Sequence, residues 1–296
     1  MKYDLMLIGP ATRDINIDYT GQEVREIGGA VFFCAYAAAA ASANLFASVK
    51  IHPDDTDVLD AFHLDSDHIA VLPAQCTTLM QNTYFTADRE RRKAECLAQS
   101  DAITPDQIPD VDCGLYHLAG LLYGDFPNEL IPALSKKGKV SADIQGFLRH
   151  NENGLMNFHD WKDKLTYLPY FDFLKTDAAE AEILTGLTDR RAAAKQLYEW
   201  GAKEILISHN SEMLVDGRTI IPVRSRHATR PAAPDAAIPP SALICQTLMG
   251  VSNRMALRYR SRSLKMESVR CRVPNRLSST ISRNFTPEPI RNRFGT

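Results

Sequence analysis

The stretch Thr176-Asp177-Ala178-Ala179-Glu180-Ala181-Glu182-Ile183-Leu184-Thr185-Gly186 decides the fold. It follows the short apolar run Phe171–Leu174 and opens a helical pattern over Ala178–Leu184. Asp177 stands at an N-cap position. Glu180, three residues on, completes a capping box in which each side chain accepts a hydrogen bond from the other's backbone N–H. A strand that turns within a few residues into a capped helix is the repeating unit of a parallel α/β sheet.

The unit recurs on both sides. Leu5–Ile8, Leu45–Val49, Gly114–Leu118, Val140–Ile144 and Glu204–Ser208 read as strands. Asn128–Lys136 and Arg190–Trp200 read as helices, the second stopped by Gly201. This alternation predicts a mostly parallel sheet with helices on both faces, and no internal repeat is visible. Two segments break it. Asp14–Glu26 and Thr77–Asp88 hold β-formers in polar alternation without a helical period, as either a small antiparallel flap or ordinary edge strands.

The 296 residues, 45% apolar and 24% charged, suffice for one large α/β domain or two small ones. A formal net charge of -2 signals neither a nucleic-acid nor a membrane partner. It hides an asymmetry: residues 1–220 hold 20 Lys/Arg against 33 Asp/Glu, a balance of -13, while residues 221–296 hold 14 against 3, a balance of +11. Cys34, Cys76, Cys96, Cys113, Cys245 and Cys271 form no C-x-x-C pair, so no zinc or thioredoxin-like site is signalled. Scattered thiols suit a reducing cytosol. The chain enters the strand pattern Tyr3–Ile8 at once, and no signal peptide is expected. The uncharged run Ala30–Val49 has the length of a membrane span, but it is mostly Ala and Ser with Asn44 inside, so a buried helix against the sheet is expected.

Other chemistries lack their motifs. No G-x-G-x-x-G follows the first strand, no G-x-x-x-x-G-K-[ST] occurs, and the histidines show no H-E-x-x-H spacing. Asp54-Asp55-x-Asp57 lacks the glycine and spacing of a calcium loop and reads as a solvated helix start. Arg89-Glu90-Arg91-Arg92-Lys93 reads as a solvated face.

Residues 1–226 resemble the PfkB carbohydrate kinases of the ribokinase-like group. The strand Leu5–Ile8 leading through Gly9 to Asp14 is similar to the family's opening strand and the acidic residue that holds sugar hydroxyls. Gly28-Gly29 resembles the di-glycine that lets backbone approach the sugar, although by itself it also fits a plain loop before a helix. Val140-Ser141-Ala142-Asp143 resembles the central strand ending in an acid. The opening stretch resembles the N-x-x-E segment, with Asp177 in place of the asparagine. The resemblance implies that Glu180 helps to organise Mg²⁺ and phosphate through water, with Asp177 beside it; a capped, solvated helix start is the alternative. Glu204–Ser208 and Val215-Asp216-Gly217 resemble the strand and hairpin before the nucleotide pocket, with His209-Asn210-Ser211-Glu212 where family glycines are expected and Phe33 where the family has an asparagine facing the sugar.

The resemblance therefore implies an α/β, ribokinase-like three-layer sandwich with a mostly parallel central sheet and a small β flap from about 14–26 and 77–88. It also implies ATP and Mg²⁺ as cofactors, a sugar or sugar-like acceptor held by Asp14, Gly28 and Gly29, a cytoplasmic location, and pairing into a homodimer through the flap. Neither nucleic acid nor a membrane is an expected partner.

The family's catalytic signature, G-x-G-D opening a helix, supplies the general base and an anion hole of backbone N–H groups. It belongs shortly after Arg226 and is not there, so no catalytic residue is assigned. Asp235, the nearest aspartate, has no glycines around it. Residues 227–244 hold four prolines without periodicity, and 251–296 are rich in Arg and Ser, so 227–296 reads as an aberrant segment. The genetic code offers an explanation. Joining the third base of each codon from His227 to Ile244 with the first two of the next permits R-N-S-A-G-R-T-G-R-G-D-T-T-F-S-A-Y. The same operation from Pro274 to Thr286 permits E-Q-A-V-L-D-Y-I-K-E-F-Y, an amphipathic helix. A reading-frame slip near Arg226 is expected, with a polypeptide inactive or nearly so, poorly stable, and with apolar surface exposed where helices are missing. Two rivals stand beside this. One is a pseudokinase that binds sugar or nucleotide without turnover. The other is a nucleic-acid binder acting through Arg254, Arg258, Arg260, Arg262, Arg270, Arg272 and Arg276.

Overall fold

The computed structural model describes residues 3–40, 43–89, 91–209, 212–215 and 219–222. The strands are β1 (Tyr3–Pro10), β2 (Thr12–Ile17), β3 (Glu23–Gly28), β4 (Leu45–Ile51), β5 (Ile69–Pro73), β6 (Thr78–Tyr84), β7 (Arg92–Ala98), β8 (Cys113–Leu118), β9 (Lys139–Asp143), β10 (Arg149–Glu152), β11 (Leu155–Phe158), β12 (Phe173–Asp177), β13 (Glu204–His209), β14 (Glu212–Val215) and β15 (Thr219–Pro222). The helices are α1 (Ala30–Ala40), α2 (Thr56–Asp60), α3 (Leu130–Ser135), α4 (Gln145–Leu148), α5 (Lys164–Tyr167), α6 (Ala178–Thr185) and α7 (Arg190–Glu199).

The main sheet has the order β15-β14-β13-β12-β9-β8-β1-β4-β5. Its strands from β13 to β5 are parallel, and β14 and β15 extend one edge antiparallel. Buried on both faces, the inner strands read as nearly continuous apolar runs, which is why they were visible in the sequence. Trp161, Phe147, Phe171, Leu184 and Leu197 fill one face. On the other, the small residues of α1, including Ala35, Ala37 and Ala38, lie close against β1 and β4.

Three expectations need correction. The uncharged run from Ala30 is a helix of 11 residues followed by strand β4, and no helix among the described residues is long and apolar enough to cross a membrane. The strand expected from Phe171 starts at Phe173, because a 3-10 turn over Leu168–Tyr170 delivers the chain there. The flap is a mixed six-stranded sheet, β10-β11-β7-β6-β2-β3, and not a purely antiparallel one. Strand β1 runs across Ala11 directly into β2, and the excursion through α1, β4, α2 and β5 returns the chain in the same direction. Hence β2 and β6 pair parallel, while β2–β3 and β6–β7 pair antiparallel.

The basic run opens β7, where Lys93 pairs with Glu95 at 2.7 Å and Arg89 lies 5.2 Å over the Tyr84 ring. Asp55 and Asp57 at the start of α2 are more than a solvated cluster. Both bind Arg13 of β2, at 2.8 and 2.5 Å, and Asp55 also accepts from Thr77, so the flap is tied to the α/β body.

Candidate active site

In parallel α/β sheets ligands bind beyond the carboxyl ends of the strands. Here β9 ends in Asp143 and β12 in Asp177, and the register sets Lys175 directly beside Asp143. The Lys175 Nζ donates to Asp143 Oδ2 at 2.9 Å, with both side chains almost wholly buried. Burial opposes the Lys175 charge, and the nearby Asp143, Glu180 and Asp177 more than reverse that effect, so its pKa is raised.

Helix α6 begins with the capping box read from the sequence: Asp177 Oδ1 accepts from Glu180 N at 2.8 Å, and Glu180 Oε2 accepts from Asp177 N at 2.8 Å. The cap and the site are the same object. Glu180 is only 3% exposed, which excludes a solvated helix residue. Burial pushes its pKa up to about 7, with Lys175 pulling the other way. Asp143, Asp177 and Glu180 are hard oxygen donors of the kind a divalent cation takes, directly or through water. Among the described residues no group of three or more His, Cys, Asp and Glu side chains is arranged to hold a metal directly.

Asp14 lies on the half-buried face of β2, where its Oδ1 accepts from Thr12 Oγ1 at 2.6 Å. Burial raises its pKa, and the Thr12 hydrogen bond opposes the rise. The two glycines build this cradle from behind. A Cβ on Gly28 would overlap the Asp14 carboxylate, and Gly29 has φ +95° with a Cβ position 2.6 Å from the Pro10 carbonyl. In this structure the space they leave is filled by Asp14 and by the β1–β2 junction. On the same face of the flap, Asn16 Nδ2 donates to Glu26 at 2.6 Å, and Asn82 Nδ2 donates to Asn16 Oδ1 at 3.1 Å. Phe33, in the first turn of α1, packs edge-on against Phe32 at 5.4 Å.

The residues expected to act together thus form two groups, Asp14 with Gly28 and Gly29, and Asp143 with Asp177 and Glu180. Sequence reading missed Lys175, Asn16, Glu26, Asn82, Asp125 and Arg149. None of them carried a clear local signal: even Lys175 stands after the short apolar run Phe171–Leu174 and before the polar Thr176 and Asp177. Asp125 is fully buried after β8; its Oδ2 accepts from Leu121 N at 2.7 Å and Leu122 N at 2.9 Å, and burial pushes its pKa up to about 6. Asn210, Ser211, Asp216, Gly217 and everything from 223 on lie outside the described residues. That covers Asp235, the arginine-rich tail, the place of the G-x-G-D motif and the shifted-frame segments.

No protein-family model and no curated protein matches the sequence. Solved structures do. A pyrophosphate-dependent kinase in the ribokinase family, complexed with a pyrophosphate analog and myo-inositol, is 29% identical, with a TM-score of 0.67 over 75% of this chain and 78% of that one. A sulfate complex of a pyrophosphate-dependent kinase in the ribokinase family is 29% identical, with a TM-score of 0.68 over 76% and 80% of the two chains. Adenosine kinase from Sinorhizobium meliloti, 14% identical, matches in fold with a TM-score of 0.61 over 86% and 88%.

Proposed function

We propose that this chain, a member of the ribokinase-family (PfkB) carbohydrate kinases, is built to transfer a phosphoryl group to a hydroxyl of a sugar or cyclic polyol, and that the polypeptide as written does so weakly or not at all. The observation that carries the reading is the pairing, in this fold, of an acceptor cradle at Asp14 with the Asp143–Lys175–Glu180 cluster at the strand ends. In the reaction a bond forms between the acceptor oxygen and phosphorus, and the bond to the donor's leaving oxygen breaks. The hydroxyl proton passes to the base of the G-x-G-D element. That element is absent from the sequence, and positioning with charge neutralisation is nearly all of phosphoryl-transfer catalysis.

Asp14 and the backbone at Gly28 and Gly29 would hold the acceptor, and Asn16, Glu26 and Asn82 offer further polar groups for a polyhydroxylated ring. Mg²⁺, where bound, neutralises phosphate charge, with Glu180 and Asp177 contributing through water. ATP is the donor expected from the family; the relatives at 29% identity favour pyrophosphate as a second reading. A cytoplasmic location and pairing of two chains through the flap belong to the same proposal, as does a boundary near Arg226 where the reading frame slips. Sequencing the gene across codons 220–290 tests the slip: a shifted frame unable to encode G-x-G-D removes it. Thermal shift against ATP, pyrophosphate and an acceptor panel separates a non-catalytic binder, which responds, from a nucleic-acid binder, which does not.

A further inference from the structure

Side chains alternate between the two faces of a strand, so register alone says which residues of the flap share the face of Asp14. The pairing of β2 with β6 sets Asp14 beside Met80 and Asn16 beside Asn82. The pairing of β6 with β7 carries these rows outward: Met80 lies beside Cys96, Asn82 beside Ala94 and Tyr84 beside Arg92. Arg92 therefore belongs to the face that holds Asp14, Asn16 and Asn82.

Arg92 is exposed, and its surroundings leave its charge unanswered. Lys93, the next residue and so on the opposite face, pairs with Glu95 at 2.7 Å. Arg92 makes one long hydrogen bond, from Nη1 to the Tyr84 hydroxyl at 3.4 Å, and among the described residues no carboxylate lies within ion-pair distance of it. Glu26, a carboxylate on the same face, is engaged by Asn16 at 2.6 Å. The strand position of Arg92 is four residues from the row of Asp14, roughly 13 Å along the sheet. Its charge nevertheless acts on the Asp14 carboxyl and repels Arg149, so the guanidinium reaches back along the face toward the cradle. Ala94 is the residue between, and a side chain that stops at Cβ leaves that path open. A guanidinium held toward another cation, with most of its fork unused, is arranged for two oxygens of one anionic group.

We infer that Arg92 is a specificity-determining residue: it selects an acceptor whose ring or chain carries an anionic substituent, a phosphate ester or a carboxylate, and grips that substituent over Ala94. The inference rests on the kinase reading for the cradle, and every residue it uses lies within the described part of the chain. Binding is therefore expected from the chain as written. The phosphate of the donor shares this chemistry and is the other source to separate.

The test is calorimetric titration of the full chain with ribose phosphate, inositol monophosphate, gluconate and glucuronate, each beside its uncharged parent compound, and separately with inorganic pyrophosphate. The variants are Arg92→Gln, Arg92→Lys and the control Arg91→Gln, which removes the same charge from an exposed neighbour on the same hairpin. At least one anionic compound should bind the parent about tenfold more tightly than its uncharged counterpart, phosphates and carboxylates being told apart by which pair shows it. Arg92→Gln should abolish that preference, Arg92→Lys should keep about a third of it because it retains charge without the fork, and Arg91→Gln should leave it within about twofold. Absence of any preference in the parent overturns the inference, as does a preference that survives in Arg92→Gln. An equal loss of pyrophosphate affinity in Arg92→Gln also overturns it, by assigning the arginine to the donor. Arg92-dependent binding of an anionic sugar without turnover of any acceptor by a frame-corrected chain would leave the inference standing and remove the kinase reading. Turnover of uncharged acceptors by that chain, unchanged in Arg92→Gln and with no anionic acceptor preferred, would do the reverse.

Discussion

Among the described residues two lysines are buried in the main sheet, and they differ in how completely they are satisfied. Lys50 of β4 is wholly inaccessible, and its ammonium donates to Pro73 O at 2.8 Å, Asp101 Oδ2 at 2.8 Å and Gln107 Oε1 at 3.1 Å. Three donors meet three acceptors, and the Asp101 side chain is 41% exposed. Lys175 of β12 has one hydrogen-bond partner among the described residues, Asp143, which is itself 5% exposed, while Glu180 and Asp177 lie within electrostatic range. Lys50 is a closed tie that fastens β4 to the loop after β7. Lys175 is an open cluster with donors to spare at the strand ends. A saturated buried charge holds a fold together; an unsaturated one at the carboxyl ends of parallel strands is a candidate for binding something that arrives later.

The largest effects should fall on the open cluster. Lys175→Met leaves the Asp143 carboxylate buried without its partner and should cost about 3–5 kcal/mol in urea unfolding. Lys50→Met should cost about 1–3 kcal/mol, because Asp101 can return to water. The reverse order would break the comparison. The surroundings of Asp14 are constrained by backbone rather than by charge. Gly29→Ala, with φ +95° and the Pro10 carbonyl in the way, should lose about 1–3 kcal/mol by the same measurement.

Titration sharpens the contrast further. The folded-state pKa of Glu180 lies above that of the unfolded chain. Its contribution to stability is therefore fully present below about 4.5 and lost as pH rises through about 7. Glu180→Gln should flatten the fall in melting temperature across that window, and an unchanged slope would argue that Glu180 is not the titrating group. Asp125 acts in the same direction over a lower window, from its ordinary 3.8 to about 6. Asp125→Asn keeps an acceptor for the Leu121 and Leu122 amides, and it should remove a smaller slope there.

The strands of the main sheet were legible because burial on both faces writes them as apolar runs, and α6 was legible because its cap is a local motif of adjacent residues. The flap was legible only as two β-forming segments, open between a flap and edge strands; the β2–β3 hairpin and the parallel β2–β6 pairing came from the structure. The open cluster could not. Asp143 and Lys175 are far apart in the chain and meet only through strand register, which periodicity does not encode. Lys175 was also hidden by its own surroundings, since the apolar run before it was taken to stop at Leu174. The resemblance to PfkB kinases supplied Asp14 and Glu180, and the structure added the residues that hold them in place.

The central claim, a kinase scaffold deprived of its base, has one direct test. Phosphoryl transfer from ATP and from pyrophosphate to a panel of sugars and cyclic polyols should be assayed for the chain as written and for a chain in which 227–244 carries the shifted-frame reading and the C-terminal helix is restored. The account predicts acceptor-dependent turnover in the corrected chain and none above background in the other. Robust acceptor-dependent turnover by the chain as written would contradict it.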